Sequence, residues 1–230
     1  MTARKIRTTL IVFENTLPAS KLNAFRGAMV EKVGRQHTTF HNHTEEGFLY
    51  AYPLIQYKRV GGKLSLFCIG DGVDEIHHFF SMKNWSVNVQ GELLHLKVDK
   101  LDLKSFTLNV WDKKFHYQIT NWLALNAENY KKYKKLESED DKIAMLEKML
   151  TGNILSFAKG IEWQIEKTIE VKILEIRAAK LIRYKGVPLM AFDVHFSSNV
   201  FLPNYLGLGK SASHGYGVVR EINNSKDKQS

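Results

Sequence analysis

The order of strand-like and helix-like patterns in the first hundred residues restricts the fold most strongly. Residues 5–13 alternate between apolar and polar positions, as a strand does, and residues 18–34 carry apolar side chains at helical spacing. Two further strand patterns are joined by a Gly61-Gly62 hairpin turn. The predicted order matches the split βαβ, or ferredoxin-like, arrangement: strand 5–13, helix 18–34, strand 48–59, strand 63–69, short helix 71–80 and strand 86–96.

The second half of the chain repeats this arrangement less regularly. Alternation indicates strands at 101–110 and 114–122, followed by a helical region in which Ser138 and Asp141 form a capping box. Two more strand patterns lie on either side of a turn at residues 185–188. The sequence therefore predicts an α+β protein of two small domains packed side by side, residues 1–97 and 98–230.

The charge balance indicates a polyanionic partner. The chain has 33 Lys and Arg residues against 24 Asp and Glu, a net charge of +9 and an isoelectric point near 9.4. Charge alone does not decide this, because many basic proteins bind no nucleic acid. The single cysteine excludes an internal disulfide and a thiolate zinc site. The apolar runs are too short for a membrane span, and no apolar signal region follows the basic N-terminus, so we expect a cytoplasmic protein.

The most specific local signal is a glycine-rich segment near the C-terminus, residues 207–217, which holds four of the 15 glycines. Glycine lets a backbone approach a ligand closely, and exposed N–H groups there can cradle a phosphate. The spacing fits neither a P-loop nor a dinucleotide-binding fingerprint. A glycine-rich turn with only a folding role remains the alternative.

This segment resembles the C-terminal glycine-rich loop of the RAMP superfamily of CRISPR-associated proteins. Two further stretches, 41–43 with the sequence His-Asn-His and 52–58 with Tyr-Pro-Leu-Ile-Gln-Tyr-Lys, resemble the endoribonucleases that cut precursor CRISPR RNA within each repeat, the "b" branch of the Cas six family. The resemblance spans both halves of the chain. It implies tandem ferredoxin-like domains, an N-terminal one with catalytic histidines and a C-terminal one with an RNA-binding loop.

The two histidines suit RNA cleavage. In an extended segment, His41 and His43 point to the same side, roughly 7 Å apart, which can place one imidazole on each side of a phosphate. A base removes the proton of the 2′-hydroxyl, which attacks the phosphorus, and an acid protonates the departing 5′-oxygen. The products are a 2′,3′-cyclic phosphate and a 5′-hydroxyl, and no metal or cofactor is required. The resemblance implies this acid–base role for the pair without assigning acid and base.

Other interpretations of the pair stay open. His-x-His can supply two ligands of a metal site, with His37 or Glu45 as a third, or the two histidines can be plain loop residues. Lys58, Tyr50 and Tyr52 are candidates for a supporting cation or hydrogen-bond donor. Six other histidines are interpreted as structural or, for one, as a phosphate contact: His77, His78, His95, His116 and His195, and His214.

Repeat RNA is the expected partner. Its backbone needs positive charge and its unpaired bases need aromatic surfaces. The candidates for RNA binding are Arg35, Arg59, Lys131, Lys132, Gly207, Gly209, Lys210, Ser211, Ser213, His214, Gly215 and Tyr216, with Arg26 and Lys32 as further contributors implied by the resemblance. A CRISPR effector complex and a homodimer are possible assemblies. The alternative function is a non-catalytic RNA-binding RAMP subunit of such a complex.

Overall fold

The computed structural model describes the backbone of residues 3–41, 43–44, 47–48, 51–184 and 186–222, and the side chains of all of these except 43, 44, 47 and 48. The elements of the first unit are β1 (Arg4–Thr16), α1 (Leu22–Val33), β2 (His43–Thr44), β3 (Gly47–Phe48), β4 (Ile55–Val60), β5 (Lys63–Ile69), α2 (Asp71–Glu75), α3 (His77–Phe80), β6 (Ser86–Val89), β7 (Glu92–His95) and β8 (Val98–Leu108). Four of its strands form an antiparallel sheet with the order β4-β5-β1-β8.

The second unit repeats this topology. Its elements are β9 (Val110–Trp122), α4 (Ala127–Lys135), α5 (Glu139–Gly160), β10 (Val171–Tyr184), β11 (Val187–Val200) and β12 (Val218–Glu221). Its antiparallel sheet has the order β10-β11-β9-β12, so its strands occupy the same relative places as those of the first sheet. A glycine-rich connection with one short 3-10 turn, Ala212–His214, leads from β11 to β12 where the first unit has helices. The predicted α+β class with tandem ferredoxin-like units is confirmed.

The strand predicted at 86–96 is wrong in its extent and its place. Gln90 and Gly91 take positive φ angles of 56° and 87°, so the segment turns back on itself as the separate hairpin β6–β7. The fourth strand of the first sheet is β8, which pairs with β1 along nearly its whole length. The predicted domain boundary at 97/98 falls immediately before this strand, and the chain passes from the first sheet to the second at Asn109.

Each face of the first sheet has a separate core. On one face, α1 packs through Phe25 and Met29 on residues that include Cys68, which is a fully buried core residue as predicted. On the other face, Leu10 and Phe67 share a core with the second unit, including Trp122 and side chains of α5. The two units are therefore joined by one continuous apolar interior, which fixes the glycine-rich connection against the first sheet. Among the described residues, no helix is long and apolar enough to span a membrane.

Candidate active site

The side chain of Arg26 joins the two motifs that the sequence singles out. Arg26 lies on α1, and its Nη2 donates a hydrogen bond to the carbonyl oxygen of His41. Its Nη1 lies 3.3 Å from Nε2 of His214 in the glycine-rich segment. Burial lowers the pKa of Arg26, but a guanidinium stays charged in proteins. One cation therefore lies between the histidine segment and the glycine-rich segment, and the two residues that it contacts, His41 and His214, are more than 170 positions apart in the chain.

A tight turn holds His41 in place. The 3-10 helix Thr38–Phe40 buries Phe40, whose carbonyl oxygen accepts a hydrogen bond from Tyr57 at 3.2 Å. The ring nitrogen Nε2 of His41 lies 3.0 Å from the carbonyl oxygen of Arg35. Because a carbonyl can only accept, Nε2 carries the proton, and Nδ1 is the acceptor nitrogen of the neutral ring. The backbone of His43 pairs with Phe48 in the β2–β3 ladder, and its side chain lies outside the described residues.

His214 lies among polar and aromatic groups from both halves of the chain. Its Nε2 accepts from Arg26, because a guanidinium can only donate, so the neutral ring carries its proton on Nδ1. That nitrogen lies 3.0 Å from the hydroxyl of Ser213 and 3.5 Å from the hydroxyl of Tyr184. Tyr184 also packs edge-on against Tyr216, with ring centroids 5.3 Å apart. The end of β10 thus contacts the glycine-rich segment, a contact that the sequence analysis missed.

Two buried side chains attach the glycine-rich segment to the first unit. Tyr52 donates a hydrogen bond to the carbonyl oxygen of Gly207 at 2.6 Å and accepts one from Gln56 at 2.9 Å. The side-chain oxygen of Gln56 accepts the N–H of Gly207 at 2.9 Å. Burial raises the pKa of Tyr52, so its hydroxyl keeps the proton that it donates. The predicted site residue Tyr52 therefore fixes the position of the loop.

The loop covers an open edge of the first sheet. This edge is formed by β4, the outermost strand of that sheet. Gly215 has a φ of +80° and lies so close to β4 that a Cβ there would be 3.4 Å from the carbonyl oxygen of Tyr57 and 2.8 Å from Leu22 of α1. At Gly217 a Cβ would be only 1.8 Å from the carbonyl oxygen of Leu208. These glycines are needed for close backbone packing as well as for positive φ.

Several N–H groups of the loop are already engaged in hydrogen bonds. Those of Gly207, Leu208, Lys210, His214 and Gly217 all donate to other protein atoms. A phosphate cradle of the predicted kind would therefore use other N–H groups of residues 211–216, on either side of His214.

Lys58 is buried beneath this loop. Its side chain is 1% exposed, on the same strand as Gln56, and its Nζ has no hydrogen-bond partner in the described part of the chain. Burial lowers the pKa of Lys58 to about 7. The backbone of Lys58 lies directly under Gly215, since a Cβ on that glycine would be 3.8 Å from the Lys58 Cα. A group that gains and loses a proton near neutral pH therefore lies behind the glycine-rich segment.

A cleft of about 470 Å³ opens between the two units beside this loop. Arg59 of the first unit and Arg220 of the second contribute its cationic side chains, and His214 lies in its wall. The guanidinium of Arg220 also lies over the ring of Tyr205, 4.8 Å from its centroid. Arg220 was not among the predicted RNA-binding residues, because the pairing of β12 with β9 brings it to the cleft and no local motif marks it. A groove with two guanidinium groups fits the phosphodiester backbone of a nucleic acid.

The two halves of the chain match two successive family models. Residues 4–107 match the Cas6b N-terminal domain, and residues 109–222 match the Cas6b C-terminal domain. The chain belongs to the Cas6b family. A solved structure described as "Crystal structure of Cas6b" is 27% identical to this chain, with a TM-score of 0.81, and the match covers 95% of this chain and 100% of that one. Another, described as "CRISPR RNA processing endoribonuclease Cas6b", is 26% identical at a TM-score of 0.72 with the same coverage.

A relative from Methanocaldococcus jannaschii matches a shorter part of this Cas6b protein. The uncharacterized protein MJ0978 is 36% identical over 137 residues, which are 59% of this chain and 92% of that protein. The resemblance drawn from the glycine-rich loop and the two shorter motifs is confirmed by the family models and the solved structures together.

The remaining predicted RNA-binding residues of this Cas6b chain differ in their exposure and their contacts. Arg35 is exposed and contacts His41 through its carbonyl group. Lys210 is exposed on the loop, where Ser211 takes a left-handed φ of 61°. In contrast, Lys32 donates a hydrogen bond to Asn84 at 2.8 Å, toward β6.

The basic helix α4 carries the other two predicted lysines. Lys131 and Lys132 are exposed there, and Lys132 forms an ion pair with Glu128 at 2.6 Å. Tyr133 packs the same helix on β11. Tyr50 and Glu45, named as a supporting donor and a metal ligand, lie outside the described residues.

Proposed function

We propose that this Cas6b protein is an endoribonuclease that cuts precursor CRISPR RNA within its repeats without a metal ion. The observation that carries the proposal is the bridge formed by Arg26, which joins the backbone of His41 to the ring of His214, a residue that lines the cleft. A guanidinium in that position can stabilise the charge that builds on a phosphorus under attack. The family membership and the solved relative described as a CRISPR RNA processing endoribonuclease support the choice of substrate.

In this proposal, His41 and His43 transfer the protons. The 2′-hydroxyl loses its proton to one imidazole, and its oxygen attacks the adjacent phosphorus in line. The other imidazole protonates the departing 5′-oxygen, which leaves a 2′,3′-cyclic phosphate and a 5′-hydroxyl. His41 would act through Nδ1, because its Nε2 proton is held by the carbonyl group of Arg35.

Other residues would support this chemistry without transferring protons. Lys58 adds positive charge from behind the loop, and Tyr52 holds that loop against β4. We propose that the RNA backbone follows the cleft past Arg59 and Arg220, while N–H groups of the loop on either side of His214 contact a phosphate. The exposed Lys131 and Lys132 would contact RNA farther from the cut.

Cleavage of repeat RNA in EDTA tests the proposal. The wild-type protein is incubated with its cognate repeat RNA and, in parallel, with RNA that carries a single 2′-deoxynucleotide at the cut position. We expect cleavage of the first substrate, none of the second, and a cyclic phosphate on the product. Cutting of the deoxy substrate would refute attack by the 2′-hydroxyl.

Histidine variants test the assignment of the pair. His41→Ala and His43→Ala should each reduce the single-turnover rate at least about a hundredfold with little change in RNA affinity. His95→Ala is the matched control, since His95 lies on the β6–β7 hairpin, where it contacts Ser86. Equal losses of rate and affinity would contradict proton transfer. Tight binding without cleavage by the wild-type protein would favour a non-catalytic RNA-binding subunit.

A further inference from the structure

A cluster of three metal-ligating side chains lies on the first unit, apart from the Arg26 bridge. Glu75 ends α2 and His78 lies on α3, and the intervening Ile76 is helical with φ −63° and ψ −19°. Residues three apart on a helical segment share a face, so Glu75 and His78 point the same way. His37 comes from the loop after α1. One ligand atom from each of the three residues lies within 4.8 Å of the others.

The separations between these groups leave room for an ion. Nδ1 of His37 lies 3.7 Å from Oε2 of Glu75, and Nε2 of His78 lies 4.0 Å from the same oxygen. Both separations are too long for a hydrogen bond. Ligands about 2.0–2.2 Å from a tetrahedral ion are about 3.3–3.5 Å apart, so small side-chain rotations would close the site.

The ligand set and its exposure select the kind of ion. Two imidazoles and one carboxylate suit Zn²⁺ and similar transition metals, whereas Mg²⁺ prefers oxygen ligands. The side chains are between 21% and 35% exposed, so an ion can enter and keep a water ligand. His37 was predicted as a possible third ligand beside the His-x-His pair; among the described residues, it groups with Glu75 and His78.

We propose that His37, Glu75 and His78 form a binding site for a divalent transition-metal ion of the Zn²⁺ class, which fastens the loop before His41 to α2 and α3. Only the 3-10 turn Thr38–Phe40 separates His37 from His41. An ion at this site therefore restrains the segment from which His41 extends. The ion takes no part in the proposed proton transfers, so cleavage is still expected in EDTA, which empties the site.

Titration of the metal-free, tag-free protein with ZnCl₂ tests the site without RNA, so its outcome is independent of the proposed function. Isothermal titration calorimetry should show one ion per chain with micromolar or tighter affinity, and MgCl₂ should show none at the same concentration. His37→Ala, His78→Ala and Glu75→Gln should each weaken Zn²⁺ binding at least about tenfold. Circular dichroism checks that each variant is folded, and Glu75→Gln is the conservative change if an alanine variant fails to fold.

His195→Ala is the matched control. His195 and Glu175 also form a His–Glu pair, with Nδ1 and Oε2 3.4 Å apart, but they belong to no three-ligand group among the described residues. Binding by this variant should equal that of the wild type. Hydrogen exchange of the amides in 37–41 should also slow when Zn²⁺ is added. Absence of saturable Zn²⁺ binding by the wild type, or equal binding by all variants, would overturn the proposal.

Discussion

The buried lysine beneath the glycine-rich loop makes the stability of the protein depend on pH. Lys58 has a pKa of about 7 in the folded protein and an ordinary value of 10.5 when unfolded. Between these values the unfolded chain binds more protons, so the free energy of unfolding rises with pH. At about 1.4 kcal/mol per pH unit, burial of this side chain costs about 4 kcal/mol at pH 7. By pH 9 about 2 kcal/mol of that cost is removed. This is less than the full slope over two pH units would give, because the lysine of the folded state is still half protonated at pH 7 and the difference in bound protons is smaller there.

Lys58→Met removes the titrating group and keeps an unbranched side chain of similar length. Urea unfolding followed by tryptophan fluorescence at pH 7, 8 and 9 gives the free energy of unfolding of both proteins. We expect the variant to be more stable than the wild type by up to about 4 kcal/mol at pH 7, with the difference falling by about 2 kcal/mol at pH 9. Lys131→Met, a change on the exposed face of α4, is the control and should show no pH-dependent difference.

A difference between wild type and Lys58→Met that is the same at all three pH values would refute this reasoning. It would mean that the ammonium group is hydrated or has a charge partner in solution.

The same lysine should respond to RNA, because a phosphate over the loop favours its charged form. Calorimetry of RNA binding at pH 8 in buffers of different ionisation enthalpy should therefore show proton uptake by the wild type and less by the variant.

Three further changes test the bridge and the loop. Arg26→Lys cannot reach both partners, so single-turnover cleavage should fall at least about tenfold while RNA affinity changes less; unchanged cleavage would contradict the bridge. Gly217→Ala should lower the free energy of unfolding by at least about 2 kcal/mol, because a Cβ there meets a carbonyl oxygen at 1.8 Å. Gly152→Ala, on the open face of α5, is the control and should raise the free energy of unfolding by up to about 1 kcal/mol. Tyr52→Phe leaves the carbonyl group of Gly207 without its donor and should cost about 1–3 kcal/mol in urea unfolding; a neutral effect would show that water replaces the hydroxyl.

Local patterns predicted the elements that local interactions specify. The β4–β5 hairpin follows from its turn, where Gly61 and Gly62 both take positive φ, and α5 begins where Ser138 accepts the N–H of Asp141 as its cap. The place of β8 could not be predicted in this way. Alternation shows that a segment is a strand, but not which sheet accepts it, and β8 pairs with a strand nearly a hundred residues earlier.

The candidate site was predictable only in its parts. The histidine pair and the glycine-rich segment are visible as motifs, because each consists of neighbouring residues. Their meeting through Arg26 depends on the packing of α1 against the loop, and no spacing in the sequence contains that information. The burial of Lys58 was also hidden, since a lysine on an edge strand is normally exposed; here the loop from the second unit covers it.

The path of the glycine-rich loop explains how two similar units make one asymmetric site. In the first unit, helices α2 and α3 lead from the third strand of the sheet to β8. In the second unit the equivalent connection has no long helix and crosses the edge of β4 instead, which carries His214 to Arg26 on the far side. That crossing requires close backbone contact at Gly215, so a side chain there would shift His214 as well as weaken the fold. A substitution at Gly215 is therefore expected to change stability and the proposed cleavage together, whereas the variants of His41 and His43 are expected to change the cleavage rate.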